Sequence, residues 1–352
     1  MSSQFHRRMQ PIGIRDGEQI LEMMRAYQLP CVLAAAADLD LFEKLAPAPR
    51  TAAEVATAAG CDLRAVTILL DALAALRVIV KQDEHYSIAP ELAPFLCEAF
   101  PQSVIAMIRH QANCLRRWSR LPWTVHTGKP DYPGPSIRGE DADNASFIEA
   151  MNVVSRDVAD KLVQEIHPGG VHCVLDLGGA SGSWTLAWLK AEPESRAIIF
   201  DLPHVIPMAR ERFSTSPFAG RVELRAGDFF TDALPKGADL AWVSAIIHQN
   251  SSDQNRTLYR RIAAALEPNG WIYIRDIVMD PSHTTPVAGA LFAVNMLSGT
   301  EGGNCYSRTE IQEDLQSAGF TDFQLVRRDQ GMHSIVRARV LEEYVRTEPI
   351  NK

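Results

Sequence analysis

Two rhythms of apolar residues divide the chain. Over residues 17–46 they recur at helical spacing, with Ile20, Met24 and Tyr27 on one face, and the alanine run at 34–37 predicts a close helix–helix contact. From Thr51 onward the pattern predicts helix, turn, helix and strand pair. Thr51 caps a helix over 52–59, Gly60 and Cys61 turn, and Asp62 caps a second helix whose apolar face is Val66, Leu69, Leu70, Leu73 and Leu76. Short apolar runs at 78–80 and 86–88 flank a polar turn as a hairpin, so this part is expected to be a mainly α, winged-helix-like domain. Residues 100–165 predict a helical connector with Trp118 and Trp123, a surface loop rich in Pro and Gly over 128–139, and a helix over 144–166.

Beyond Pro168, Gly169 and Gly170 the rhythm changes to short apolar strands alternating with amphipathic helices, which predicts an α/β fold with helices on both faces of a mostly parallel sheet. The strands are expected over 173–177, 197–200, 222–225, 240–244, 271–275, 323–327 and 334–340, and a helix over 183–190. Only residues 328–333 separate the last two strands, too few for a parallel crossover, so they must pair as an antiparallel hairpin at the end of a seven-stranded sheet. The domains expected are 1–105, mainly α; 106–166, a helical connector; and 167–352, the α/β part. A chain of 352 residues with 46% hydrophobic and 22% charged residues has material for two cores.

Charge and cysteine usage remove several classes of function. A net charge of −8 and a pI near 5.7 give no broad basic footprint for a phosphate backbone, so nucleic acid is not an expected partner. The second of the capped helices offers Asp62, Arg64 and Thr67 in its first turns, where a DNA reader places several Arg, Lys, Asn or Gln. Six scattered cysteines lack any C-x-x-C or paired-histidine spacing, so neither zinc nor a disulfide framework is expected, and no metal. No apolar stretch is long enough to span a bilayer, and the N-terminus has no signal-peptide pattern; the expectation is a cytoplasmic protein with no membrane partner.

Candidate chemistry lies at the expected strand ends. Val174-Leu175-Asp176-Leu177-Gly178-Gly179-Ala180-Ser181-Gly182 runs from a strand into a glycine turn that opens a helix, where backbone can approach a ligand and free N–H groups face an anion. Phe200-Asp201 closes the next strand, where a carboxylate can accept both hydroxyls of a ribose, and Gly227-Asp228-Phe229 closes the third, where an acid and a ring can meet an adenine. Ligands of open α/β sheets gather at these carboxyl ends, so the three tips are expected to converge on one adenosine. The plainer reading makes Asp201 and Asp228 helix caps and Phe229 core. The spacing Gly178-Gly179-x-x-Gly182 lacks the dinucleotide G-x-G-x-x-G pattern, which disfavours a nicotinamide dehydrogenase.

The stretches 175–182, Phe200-Asp201-Leu202-Pro203-His204-Val205, Gly227-Asp228-Phe229-Phe230, Ile246-Ile247-His248 and Asn295-Met296-Leu297 resemble the caffeate-type and acetylserotonin-type O-methyltransferases and their bacterial relatives, over nearly the whole chain. The resemblance implies the class I methyltransferase fold and a homodimer formed through the N-terminal domain. It implies S-adenosylmethionine as cofactor and S-adenosylhomocysteine as product. The cofactor would lie on Asp176, Gly178, Gly179, Gly182, Asp201, Leu202, Asp228, Phe229 and Ser244. His248 is at the position of the family's catalytic base, and Phe147, Met151, Phe292, Asn295 and Met296 would line the pocket for a small hydroxylated acceptor.

Three departures qualify that picture. Gln249 and Asn250 follow His248 where the family has Asp and Trp, and Ser244 stands where relatives carry Lys or Arg. In the segment that supplies the family's orienting acid, Cys305 occupies the acidic position, so the orienting acid is either Glu301, displaced, or absent. These departures keep two alternatives open: methyl transfer to carbon or nitrogen, and a non-catalytic regulator that binds the cofactor.

Overall fold

The computed structural model of the chain describes residues 13–341, which form two compact units. One comprises 13–120 and 132–154, the other 121–131 and 155–341, so the connector expected over 106–166 contributes to both.

In the first unit, Asp16 caps helix Gly17–Arg25 by accepting from the Gln19 amide. The apolar face expected there is exposed: Ile20, Met24 and Tyr27 retain 51%, 68% and 58% of their surface. The alanine run falls in helix Gln28–Asp38, where Ala36 and Ala37 are fully buried and the backbone packs closely against Ile105–Trp118. Both expected caps form. Thr51 and Glu54 satisfy each other's amides before Ala52–Ala59, and Asp62 accepts from Ala65 before Leu63–Ala75. Val66, Leu70 and Leu73 enter the core, while Leu76, at the helix end, is exposed. The hairpin of Ile79–Gln82 and His85–Ile88 gains a third antiparallel strand, Arg50–Thr51, too short to leave a period in the sequence.

The second unit is built on seven strands: β1 (Cys173–Leu177), β2 (Arg196–Asp201), β3 (Val222–Ala226), β4 (Ala238–Ser244), β5 (Leu266–Asp276), β6 (Phe320–Arg327) and β7 (Ser334–Val340). Their spatial order is β6-β7-β5-β4-β1-β2-β3. β1 to β5 pair in parallel, and β7 lies antiparallel between β5 and β6, as the short 328–333 connection requires. The helix expected over 144–166 is divided into Glu140–Arg156 and α1 (Ala159–Ile166).

Alternation along the strands explains the two cores of this unit. Val174, Trp242, Tyr273 and Ile335 face α1 and α2 (Ser183–Ala191), and Ile199 faces α3 (Ile206–Ser214) on that same side. Leu175, Leu177, Val243, Ile274 and Val336 face α4 (Ser252–Ala265) and, after α5 (Val287–Gly299), α6 (Arg308–Ser317). With both faces covered, every residue of β1 is buried. Its chemistry can therefore emerge only at the strand ends.

Trp188 of α2 is fully buried and meets Trp242 and Tyr273 edge-on, at 5.6 and 5.8 Å between ring centroids. Trp188→Ala should destabilise the protein by about 3–5 kcal/mol in urea unfolding, because so large a void cannot close. A loss below about 1 kcal/mol would contradict this packing.

Candidate active site

At the carboxyl end of β1 the chain turns through Gly178, at φ +67°, where a Cβ would lie 2.6 Å from Ile246 Cδ1. Gly182, at φ +80°, starts α2, and a Cβ there would lie 2.4 Å from the Phe213 ring. Only glycine allows the turn to pass so closely between these side chains. Neighbouring strand tips are tied to it by backbone bonds. Gly178 N donates to Phe200 O and Gly227 N to Asp201 O, each at 2.9 Å.

Asp201 is clasped by this turn. Its Oδ2 accepts from Ala180 N at 2.8 Å and its Oδ1 from Leu202 N at 2.7 Å. Burial raises the pKa of this carboxyl, opposed by the two amide bonds. Each oxygen retains acceptor capacity, so the group can still take two neighbouring hydroxyls. At the tip of β3, Asp228 Oδ1 accepts from Phe230 N at 2.8 Å, and the half-buried Phe229 stands edge-on to Phe230. The glycine turn, Asp201 and the start of the Asp228-Phe229 turn thus form one laced edge. Asp176 lies lower. It is 1% exposed and accepts from Thr185 Oγ1 at 2.5 Å, which fastens β1 to α2. Burial, together with the charge of Asp201, pushes its carboxyl up to about 7, against the pull of the Thr185 bond.

The next tip along, after β4, carries the histidine. Ala245, at φ +59°, forces the chain out of the strand, and Ile247–Gln249 make a single tight helical turn. Asn255 Nδ2 donates to Ile247 O at 2.9 Å and Asn250 Nδ2 to Asn255 Oδ1 at 3.0 Å, while the Tyr306 hydroxyl donates to Asn250 O. His248, 5% exposed, places Nδ1 at 2.9 Å from each oxygen of Asp276, which is 1% exposed at the end of β5. A carboxylate on Nδ1 calls for the proton there, which leaves Nε2 as the unprotonated nitrogen of the neutral ring. Phe292 of α5 meets the imidazole edge-on at 4.9 Å.

Comparison with known proteins decides the family. Residues 116–321 match the O-methyltransferase domain model, and residues 21–92 match the O-methyltransferase dimerisation domain. The chain belongs to the O-methyltransferase family. It is 31% identical over 300 residues to 3-hydroxy-5-methyl-1-naphthoate 3-O-methyltransferase of Streptomyces sahachiroi, covering 84% of this chain and 87% of that one. It is also 31% identical to the tetracenomycin polyketide synthesis 8-O-methyl transferase TcmO of Streptomyces glaucescens, over 88% of this chain and 93% of that one. Among solved structures, mitomycin 7-O-methyltransferase MmcR superposes with a TM-score of 0.78 at 27% identity, covering 92% of this chain and 97% of that one.

In this O-methyltransferase the orienting position beside the histidine is taken by Asp276, which the sequence reading passed over. Glu301, offered for that role, is exposed on a loop and, among the described residues, makes no hydrogen bond or ion pair. Its segment still touches the histidine from behind, since Asn304 N donates to His248 O at 2.9 Å. Cys305 is buried among Ile277, Met279 and Phe292, where burial, with Asp276 close by, pushes its thiol well above the ordinary range. The signal for Asp276 was a carboxylate ending an apolar strand, Ile272-Tyr273-Ile274-Arg275-Asp276, one strand away from the histidine. Ser244 Oγ accepts from Arg275 Nη1 at 2.9 Å. Met296 is buried and Asn295 half-buried on α5. Phe147 and Met151 lie on Glu140–Arg156 in the first unit, with the Phe147 ring 5.2 Å from that of His110.

A carboxyl raised to about 7 makes the ligand-free protein lose stability as pH rises from about 4, where the unfolded chain ionises, to about 7. Asp176→Asn removes that loss. Its stability relative to wild type should widen by ~2–4 kcal/mol between pH 4 and pH 7 in thermal or urea unfolding, then stay level. A difference independent of pH would contradict a buried, neutralised Asp176.

Proposed function

We propose that the protein transfers a methyl group from S-adenosylmethionine to a hydroxyl of a small aromatic or polyketide-like molecule, with His248 as general base, in the cytoplasm. The observation that carries this reading is the buried Asp276–His248 pair beside the laced strand tips. Relatives named for naphthoate, tetracenomycin and mitomycin methylation support the acceptor class.

The residues fit the cofactor. Asp201 has acceptor capacity left for a ribose diol, the Gly178, Gly179 and Gly182 turn leaves backbone free to approach a ligand, and Leu202, Asp228 and Phe229 flank the base end. Asp176 acts from beneath, by holding α2 under the turn. Bound there, the cofactor supplies an electrophilic methyl carbon on a sulfonium.

The chain's own work is positional and basic. His248 Nε2 would take the acceptor's hydroxyl proton, freeing its oxygen to accept the methyl group that the bound cofactor would supply. The imidazolium so formed is stabilised by Asp276, which also fixes the ring plane. Phe292, Asn295 and Met296 of α5 would line the acceptor's side. Phe292 sets how closely an aromatic acceptor approaches Nε2.

The protein acts as a homodimer through its N-terminal segment, a reading supported by the dimerisation-domain match and by the exposed Ile20, Met24 and Tyr27. Replacing Met24 and Tyr27 together by Glu should produce monomers in size-exclusion chromatography with light scattering; a retained dimer would place the interface elsewhere.

His248→Ala should lower kcat by about 10²–10⁴-fold toward a hydroxylated naphthoate while S-adenosylhomocysteine affinity, read by calorimetry, changes little. Asp276→Asn should fall between that variant and wild type. Unchanged kcat in His248→Ala would remove the base. Absence of S-adenosylhomocysteine binding to the wild-type protein would remove the cofactor reading itself.

A further inference from the structure

Arg275 precedes Asp276 on β5 and points to the opposite face of the sheet, toward α2. It is 2% exposed. Nη1 donates to Ser244 Oγ at 2.9 Å, and Nε and Nη2 share His333 Nδ1 at 3.2 and 3.1 Å. The guanidinium lies 4.5 Å over the Trp184 ring. Among the described residues no carboxylate stands within ion-pair distance of it. Burial pulls its pKa down to about 10 even with Asp276 and Asp329 in the neighbourhood. A buried charge without an opposite partner is costly, and arginine cannot escape by losing its proton at neutral pH.

Its place in the sheet says what the missing partner is. The tips read for the nucleoside belong to β2 and β3, and His248 follows β4, so a methyl donor held between them would direct its amino-acid end toward the β4 and β5 side of the sheet. Arg275 sits at that end. It touches Trp184, in the first turn after the glycine loop, and Ser244, the last residue of β4. Ser244 Oγ accepts from the guanidinium, and no described residue accepts the hydroxyl's own proton, which is left to point away from Arg275. The donor carries one anionic group, the carboxylate of its amino-acid end.

Resting on the cofactor reading above, we infer that Arg275 is a positioning residue that selects this carboxylate, acting through the Ser244 hydroxyl that it orients and polarises. The charge that relatives carry at the position of Ser244 is supplied in this chain from the adjacent strand. No bond is made or broken in this step.

The test compares S-adenosylhomocysteine with its decarboxylated analogue, which keeps the adenosine, the sulfur and the amine. Isothermal titration of the full-length wild type should favour S-adenosylhomocysteine by about tenfold or more. In Arg275→Met that preference should shrink to about threefold or less, through weaker binding of S-adenosylhomocysteine with the analogue unchanged, and Arg275→Lys should restore part of it. Ser244→Ala should lose the preference in the same way, and it decides the question if Arg275→Met does not fold. Equal weakening of both ligands, or a preference kept in the variants, overturns the inference while leaving the cofactor reading intact. A wild type that binds neither ligand overturns the cofactor reading instead.

Discussion

Two 2.9 Å separations, from His248 Nδ1 to the oxygens of Asp276, are the contact on which the active site depends. Both groups are nearly free of solvent, and each fixes the orientation of the other. Holding them demands a rigid support. The parallel pairing of β4 with β5 sets Ser244 opposite Arg275, and the strained Ala245 then swings the chain so that the histidine turn returns over Asp276. Asn255 and Tyr306 satisfy the backbone carbonyls that this turn frees, and the Asn250 side chain braces Asn255. The departure from the family at Gln249 and Asn250 thus leaves the turn closed by other means.

The same sheet serves two ligands because its topology separates them. β2 and β3 lie on one side of β1, and β4 and β5 on the other. The glycine turn at the centre is fixed from below by Asp176 and Thr185 and laterally by Asp201. Arg275 and Asp276, adjacent in sequence and opposed across the sheet, tie β5 to the end of β4, to α2 and to the histidine turn. One grips Ser244 and Trp184; the other grips His248.

Much of this was legible in the sequence, for physical reasons. Strands β1 and β7 were read at their observed bounds because both are bordered by sharp turns, and Thr51 and Asp62 announced their helices as caps. The antiparallel end of the sheet followed from a connection too short to cross over. Asp276 was missed because a carboxylate inside an apolar strand has no local signature; its meaning comes from β4, 32 positions away at Ser244 and paired with Arg275 only in the fold. Glu301 drew attention because the family's acid lies nearby in sequence, yet the loop turns it outward. Asp176 was grouped with the cofactor by its motif, whereas burial and Thr185 give it a supporting place.

The proton on His248 is observed directly by ¹⁵N nuclear magnetic resonance of histidine-labelled protein. At pH 8 His248 should carry its proton on Nδ1, with Nε2 showing the shift of an unprotonated ring nitrogen, and Asp276→Asn should disturb this balance. A His248 ring protonated on Nε2, or one indifferent to the loss of the Asp276 charge, would contradict this placement of the proton.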